Sequence, residues 1–248
     1  MNRKIVLASL LLVICSQPYG YGQEQEGVQN DLPSVEIVVQ DYLQAIGGAM
    51  SLRSIETVSI EADFDGMDEW SSGKVFVYFQ DDLWHYDFQL EDSRFTYLCC
   101  SDGTGWRSFD EPSEMSAAER IKFNEIVPVV VTPLKWLEYD GEIEVKGIEK
   151  VNEEDCYHLE FRPKDGDPVQ RFFDCQTGLL SKLSYRSGSD IDWLLSDYQN
   201  VDGVMVPMFR KHFFDGEIGY TVKTTKVVFD KQIDPELFQP PNGVGTID

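Results

Sequence analysis

The chain is poor in the residues from which most active sites are built. Only three histidines occur among 248 residues, His85, His158 and His212, and no two of them have the spacing of a paired metal site. The run His85-Tyr86-Asp87 comes nearest, but one imidazole beside one carboxylate is not a ligand set. There is no G-x-S-x-G elbow, and Cys99-Cys100 has no flanking base signature, so nucleophilic catalysis has no motif to stand on. Positive charge is equally scarce. The 21 Lys and Arg face 44 Asp and Glu, for a net charge of −23. A surface of that sign repels phosphate backbones and anionic headgroups, which argues against nucleic acid as a partner. No segment after residue 22 is long and apolar enough for a membrane helix, so the chain is not expected to be membrane-integral.

Carboxylates are plentiful, and composition alone leaves open an acid/base pair of the glycosidase type, hence a carboxylate-dependent hydrolase. Asp63-Phe64-Asp65-Gly66-Met67-Asp68-Glu69 has the make-up of a calcium loop. Its glycine stands fourth instead of sixth, and the twelfth place holds no Glu, so a solvated strand end is expected there. No catalytic residue, metal or cofactor is assigned, and the chain does not read as an enzyme.

The front of the chain reads as a secretory signal. Arg3 and Lys4 precede an apolar run over 5–15 that is short for a membrane span, and Gly20 and Gly22 supply small residues at −3 and −1 of a cut before Gln23. Cys15 follows Leu12-Val13-Ile14, but Ile14 is bulky where lipidation needs a small residue. Cleaved, soluble export is therefore expected, with residues 1–22 as signal peptide. Loss of Arg3 and Lys4 takes the net charge from −23 to −25. Residues 23–33 are polar and glycine-bearing and read as a disordered leader. Residues 34–248 suit a single β-rich domain.

That domain opens with EIVVQDYLQAIGG. Ser34 offers an N-cap, Glu36 sits in the first turn, and Val35, Val38, Val39, Tyr42, Leu43 and Ile46 recur at helical spacing. Gly47 and Gly48 end the helix. From Ile55 the period changes to two. Strands are expected near 55–65, 73–80, 83–90, 94–100 and 104–110. A helical interlude follows over 113–137, broken by Pro128 and Pro133. Further strands are expected near 142–151, 155–162, 169–175, 179–187 and 190–199, with a hairpin over 203–230. A mostly antiparallel meander results.

Three hairpins can be registered. A turn at Asp81-Asp82 sets Phe79 opposite Trp84, Val77 opposite Tyr86 and Val75 opposite Phe88, all six on one face. A turn over PKDGDP sets Arg162 opposite Val169, Glu160 opposite Arg171 and Cys156 opposite Cys175. Direct opposition brings Cα atoms to about 4.5–5.5 Å, within disulfide reach, so a Cys156–Cys175 bridge is expected; two buried thiols are the alternative. A turn at Asp215-Gly216 sets Phe213 opposite Ile218 and Phe209 opposite Val222. Asp234-Pro235-Glu236-Leu237-Phe238 reads as a closing turn that tucks Phe238 against the sheet.

One helix and one irregular helical region are too little to cover a sheet of about eleven strands as a tight two-layer core. The sheet either closes into a filled barrel or curls around a cavity that the helices cap. In the second case Val75, Val77, Phe79, Trp84, Tyr86 and Phe88 line a pocket for an apolar ligand, and Val38, Tyr42, Leu43 and Ile46 form a lid over it. In the first case they are ordinary core.

Four segments resemble the LolA-like, or outer-membrane lipoprotein-sorting, superfamily. They are DYLQAIGG with the following MSLRSIETV, FFDCQTGLLSKLSY, SDYQNVDGVMVPMFRK (the D-Y-x-x-V-D-G-x-x-x-P pattern) and KQIDPELFQPP. The resemblance spans residues 35–241, and its matching positions, chiefly Gly47, Gly48, Asp174, Gly178, Asp202, Gly203 and Pro207, are structural. It implies a mainly β (α+β) fold, an incomplete antiparallel β-barrel of about eleven strands with helices capping an apolar cavity. It further implies a periplasmic carrier or sensor of lipoprotein acyl chains or other lipid, without catalysis or cofactor. A module with a filled core and no lipid cargo, docking another envelope protein, is the alternative on the same scaffold.

Overall fold

The computed structural model describes residues 32–67, 71–100, 103–109, 111–126 and 132–241. The signal peptide expected at 1–22 and all of the expected leader but Leu32 and Pro33 lie outside these residues.

Short alternating segments joined by tight turns dictate a meander. Asn152-Glu153, Asp202-Gly203 and Asp215-Gly216 each connect neighbouring strands with both residues at positive φ, the two-residue geometry that matches strand twist. The strands are β1 (Thr57–Gly66), β2 (Gly73–Gln80), β3 (Leu83–Leu90), β4 (Arg94–Cys99), β5 (Gly105–Ser108), β6 (Pro112–Glu114), β7 (Gly141–Val151), β8 (Glu154–Pro163), β9 (Val169–Asp174), β10 (Leu180–Ser187), β11 (Ser189–Val201), β12 (Val204–Phe214) and β13 (Glu217–Phe229). They form one antiparallel sheet in the order β6-β5-β4-β3-β2-β1-β13-β12-β11-β10-β9-β8-β7. The first strand thus pairs with the last, and the two meanders become the two halves of an incomplete barrel. Thirteen strands stand against the twelve expected segment by segment, and the addition is β6, a three-residue edge at the start of the segment assigned to the helical interlude. The other edge, β7, carries Glu142, Glu144, Lys146, Glu149 and Lys150, charges that discourage strand addition.

The helices are α1 (Val35–Ala45), α2 (Ala49–Arg53) and α3 (Ala117–Ile126), with 3₁₀ turns at Thr132–Glu138 and Pro235–Phe238. Ser34 caps α1 by accepting from the Ile37 amide at 3.4 Å. Asp234 caps the last turn, and Phe238 is buried with Leu98, Cys100 and Trp106.

Two glycines seat α1. A Cβ on Gly47 would stand 2.7 Å from the Gly203 carbonyl oxygen, and one on Gly178 would stand 3.2 Å from that of Asp41. The turn holding Gly178 is built by Asp174, whose Oδ1 accepts from the amides of Gln176 and Thr177 at 3.0 and 2.6 Å. The Met205 amide donates to the Ile46 carbonyl at 3.1 Å. Close backbone approach, for which glycine is needed, therefore clamps the helix to two turns of the sheet.

Three expectations are corrected. α1 does not cover the face of β2 and β3. Val38, Tyr42, Leu43 and Ile46 pack with Trp136, Leu159, Phe161, Phe173, Leu180 and Val204, over the half made by β8–β12. In the second hairpin the register is one residue off, with Phe161 opposite Val169, Glu160 opposite Gln170, and Cys156 opposite Asp174. Cys156 and Cys175 carry free thiols. Cys156 packs with Val151 and Phe172 on one face, whereas Cys175 lies beside Tyr157, whose side chain alternates to the other. In the third hairpin Phe213 does oppose Ile218, but Val222 is paired with Arg210 and not with Phe209. Gly219 is the extra residue of a bulge between these two pairs, and a bulge shifts every pairing beyond it.

Candidate functional site

The first hairpin has the expected register: Phe79 opposite Trp84, Val77 opposite Tyr86, Val75 opposite Phe88. These side chains join Val58, Phe64 and Val222 in a second core, separate from the one under α1. Above that core the two barrel halves diverge and leave a cavity of 370 Å³.

Aromatic rings from both halves of the sheet line the cavity. From β1–β5 come Phe64, Tyr86, Phe88, Phe95 and Tyr97, with Phe109 at the rim; from β10–β13 come Tyr185, Trp193, Phe214 and Tyr220. The two groups meet where Phe64 lies 4.6 Å from Tyr220, ring centre to ring centre. Phe88 stacks on Phe95 at 4.3 Å, and Phe95 on Phe109 at 5.4 Å. Offset and edge-on aromatic pairs of this kind each add about 0.5–1.5 kcal/mol beyond area burial.

α3 covers the cavity. Phe123 stacks on Trp84 at 4.4 Å and lies 4.9 Å from Tyr97 and 5.5 Å from Tyr86. Its helix starts with a capping box: the Ser116 hydroxyl accepts from the Glu119 amide at 3.2 Å, and Glu119 Oε2 accepts from the Ser116 amide at 2.8 Å. Glu119 Oε1 also accepts from Arg107 of β5 at 2.6 Å, tying the start of α3 to the sheet. The Ser116 bonds and the nearby Arg107 hold the Glu119 carboxyl below its ordinary pKa.

Of the six residues expected to line a pocket, Val75, Tyr86 and Phe88 line this cavity. Phe79 and Trp84 instead line a separate groove of 270 Å³ with Lys135 and Trp136, and Trp84 Nε1 donates to Asn124 at 2.6 Å. Val77 lies within the second core. None of Val38, Tyr42, Leu43 and Ile46 reaches the cavity. Tyr42 is stacked on Trp136 at 5.5 Å and lies 5.2 Å from Phe173, while the Arg171 guanidinium lies over the Phe161 ring at 3.9 Å.

The polar part of the wall was not foreseen. His212, which no motif singled out, is 3% exposed, between Tyr220 at 4.2 Å and Trp193 at 4.4 Å. Neither of its ring nitrogens has a hydrogen-bond partner. Burial, and secondarily the charge of Arg210, push its pKa well below the ordinary histidine value. Arg210 also lines the cavity, beside Tyr86 and Tyr220. Burial lowers its pKa from the ordinary arginine value and raises those of both tyrosines. The other two histidines are engaged elsewhere, His85 with the Leu237 carbonyl at 2.8 Å and His158 between Glu149 and Gln170 at 2.7 and 2.6 Å. Among the described residues no group of three or more His, Cys, Asp or Glu is placed to hold a metal, and no helix is long and apolar enough to cross a membrane.

Comparison with solved structures identifies the fold as LolA-like. A DUF1329 family protein from Desulfovibrio piger superposes with a TM-score of 0.54 at 14% identity, covering 83% of this chain and 97% of that one. A putative outer membrane lipoprotein-sorting protein domain from Vibrio parahaemolyticus gives 0.50 at 11% identity, covering 81% and 97%. A LolA superfamily protein from Nitrosomonas europaea gives 0.48 at 10%, covering 84% and 98%. No protein-family model matches the chain, and no curated protein matches it by sequence.

Proposed function

From the LolA-like half-barrel we propose that the protein is a non-enzymatic binding protein of the periplasm that carries or senses acyl chains. The observation that carries this reading is the 370 Å³ cavity walled by aromatic rings from both halves of the sheet and roofed by α3. Ligand pockets span about 300–1,000 Å³ and are mostly apolar with a few polar groups. A cavity at the lower end of that range has room for one acyl chain more readily than for a multi-chain anchor. One structural neighbour, a putative outer membrane lipoprotein-sorting protein domain, is in keeping with apolar cargo. Export rests on the signal-like residues 1–22.

Native mass spectrometry of the protein purified from an envelope fraction tests the proposal, together with titration by a fluorescent fatty acid. A co-purifying lipid, or saturable binding at micromolar concentration, is the expected result. Absence of both would remove the carrier reading. The half of the barrel under α1 is filled by Tyr42, Trp136 and Phe173, as a docking module would have it. A bound envelope protein with no lipid would select that second reading.

A further inference from the structure

We infer that the cavity recognises a long-chain carboxylate, its chain against the aromatic wall and its headgroup on Arg210 beside His212. This inference rests on the acyl-binding reading above and names the ligand class for the same site.

Among the described residues three charged side chains line the cavity: Arg107, Glu119 and Arg210. Arg107 and Glu119 pair with each other at 2.6 Å. Arg210 has no carboxylate partner among the described residues, so the cavity carries one uncompensated positive charge inside a protein of net charge −23. Arg210 is half-buried in the wall of an apolar cavity, and a charge held against apolar surface without a counter-ion is costly to keep. Its retention against Phe64, Tyr86 and Tyr220 is accounted for if an anion completes it. His212, with both ring nitrogens buried and unpartnered on the same face of β12, is a second polar group without a protein partner. In its neutral form one of those nitrogens donates and the other accepts.

The charge selects the ligand class. A neutral chain, such as an alcohol or a hydrocarbon, would leave Arg210 desolvated and unpaired. A dianionic phosphate would bring two charges to one guanidinium and into the field of an acidic protein, which opposes it. A single carboxylate matches the single charge and can accept two parallel N–H bonds from the guanidinium fork. The aromatic wall then takes the chain.

The test is displacement of a neutral apolar fluorophore, phenylnaphthylamine, from delipidated protein by dodecanoate, dodecan-1-ol and dodecyl phosphate. Wild type is expected to prefer dodecanoate over the alcohol by about tenfold or more, the worth of one hydrogen-bonded charge. Arg210→Leu is expected to lose the preference for the acid, its affinity for dodecanoate falling to that for the alcohol, and to melt no lower than wild type. Equal affinity of wild type for acid and alcohol overturns the headgroup assignment while leaving an apolar carrier standing. Tighter binding of dodecyl phosphate than of dodecanoate overturns the carboxylate assignment. Displacement by none of the three overturns both readings. The comparison of acid and alcohol on wild type decides the matter even where the variant folds poorly.

Discussion

Leu43→Ala distinguishes a fixed plug from a movable lid. Leu43 is 3% exposed and packs in the cluster of Trp136, Phe173, Leu180 and Val204. The substitution removes three carbons, about 2 kcal/mol of transfer free energy. The cavity left behind adds to that unless the helix settles into it. α1 has little freedom to settle, because Gly47 abuts the Gly203 carbonyl, Gly178 abuts that of Asp41, and the Ile46 carbonyl is bonded to Met205. The cost is therefore about 3–4 kcal/mol, within the range for buried leucine-to-alanine changes. At about 2–4 °C per kcal/mol for a domain of this size, Tm should fall by roughly 10 °C. Calorimetry of wild type and variant reads the shift, and native-state hydrogen exchange should show α1 amides opening only with the global transition. A Tm lowered by less than about 2 °C, together with faster ligand release, would mean that α1 opens independently and would refute the clamp.

Two further outcomes follow from the cavity. Phe123→Ala removes the ring by which α3 rests on Trp84, Tyr97 and Tyr86; ligand dissociation measured by stopped flow should quicken about tenfold, the equivalent of one or two lost aromatic pairs, and an unchanged rate would deny α3 the role of cover. His212 has a folded-state pKa depressed by burial and by Arg210, so the unfolded chain binds its proton first. The stability this gives neutral His212 is whole above the unfolded value near 6.5 and is lost as pH falls below it. His212→Phe should therefore narrow its stability gap to wild type, or overtake it, between pH 7 and 5, by up to about 1.4 kcal/mol per pH unit. Parallel denaturant-melting profiles would show that His212 is not held neutral.

Much of the sheet could be read in the sequence because its signals are local. The period-two runs and the Asp-Asp, Asp-Gly and Asn-Glu turns act within ten residues, and the first hairpin has the expected register throughout. The position of α1 is of another kind. Its apolar stripe marked a buried face, but nothing in 35–48 says which half of a curled sheet it meets. That choice is made by the pairing of β1 with β13 and by the close approaches at Gly203 and Gly178. The motif glycines and Asp174 thus carry information about the seat of the helix, which only the folded chain displays. α3 was submerged in the proline-broken interlude over 113–137, although Ser116-Ala117-Ala118-Glu119 has the form of a capping box.

The polar end of the cavity was hidden for a more specific reason. β12 is apolar on both faces: Val204, Val206, Met208 and Phe214 alternate with Met205, Pro207, Phe209 and Phe213. Period alone does not say which set points inward, so the choice falls to register against β13. Counting from the Asp215-Gly216 turn without interruption puts Phe209 opposite Val222 and leaves Arg210 outside. The bulge at Gly219 moves the pairing by one, sets Arg210 opposite Val222 and His212 opposite Tyr220, and turns both into the cavity wall. An isolated glycine within a strand, here between Ile218 and Tyr220, is the one available sign of such a bulge. One extra residue in β13 therefore decides whether register reasoning finds a phenyl ring or a guanidinium at the binding site, and with it whether the cavity reads as a container for any apolar molecule or for an anionic one.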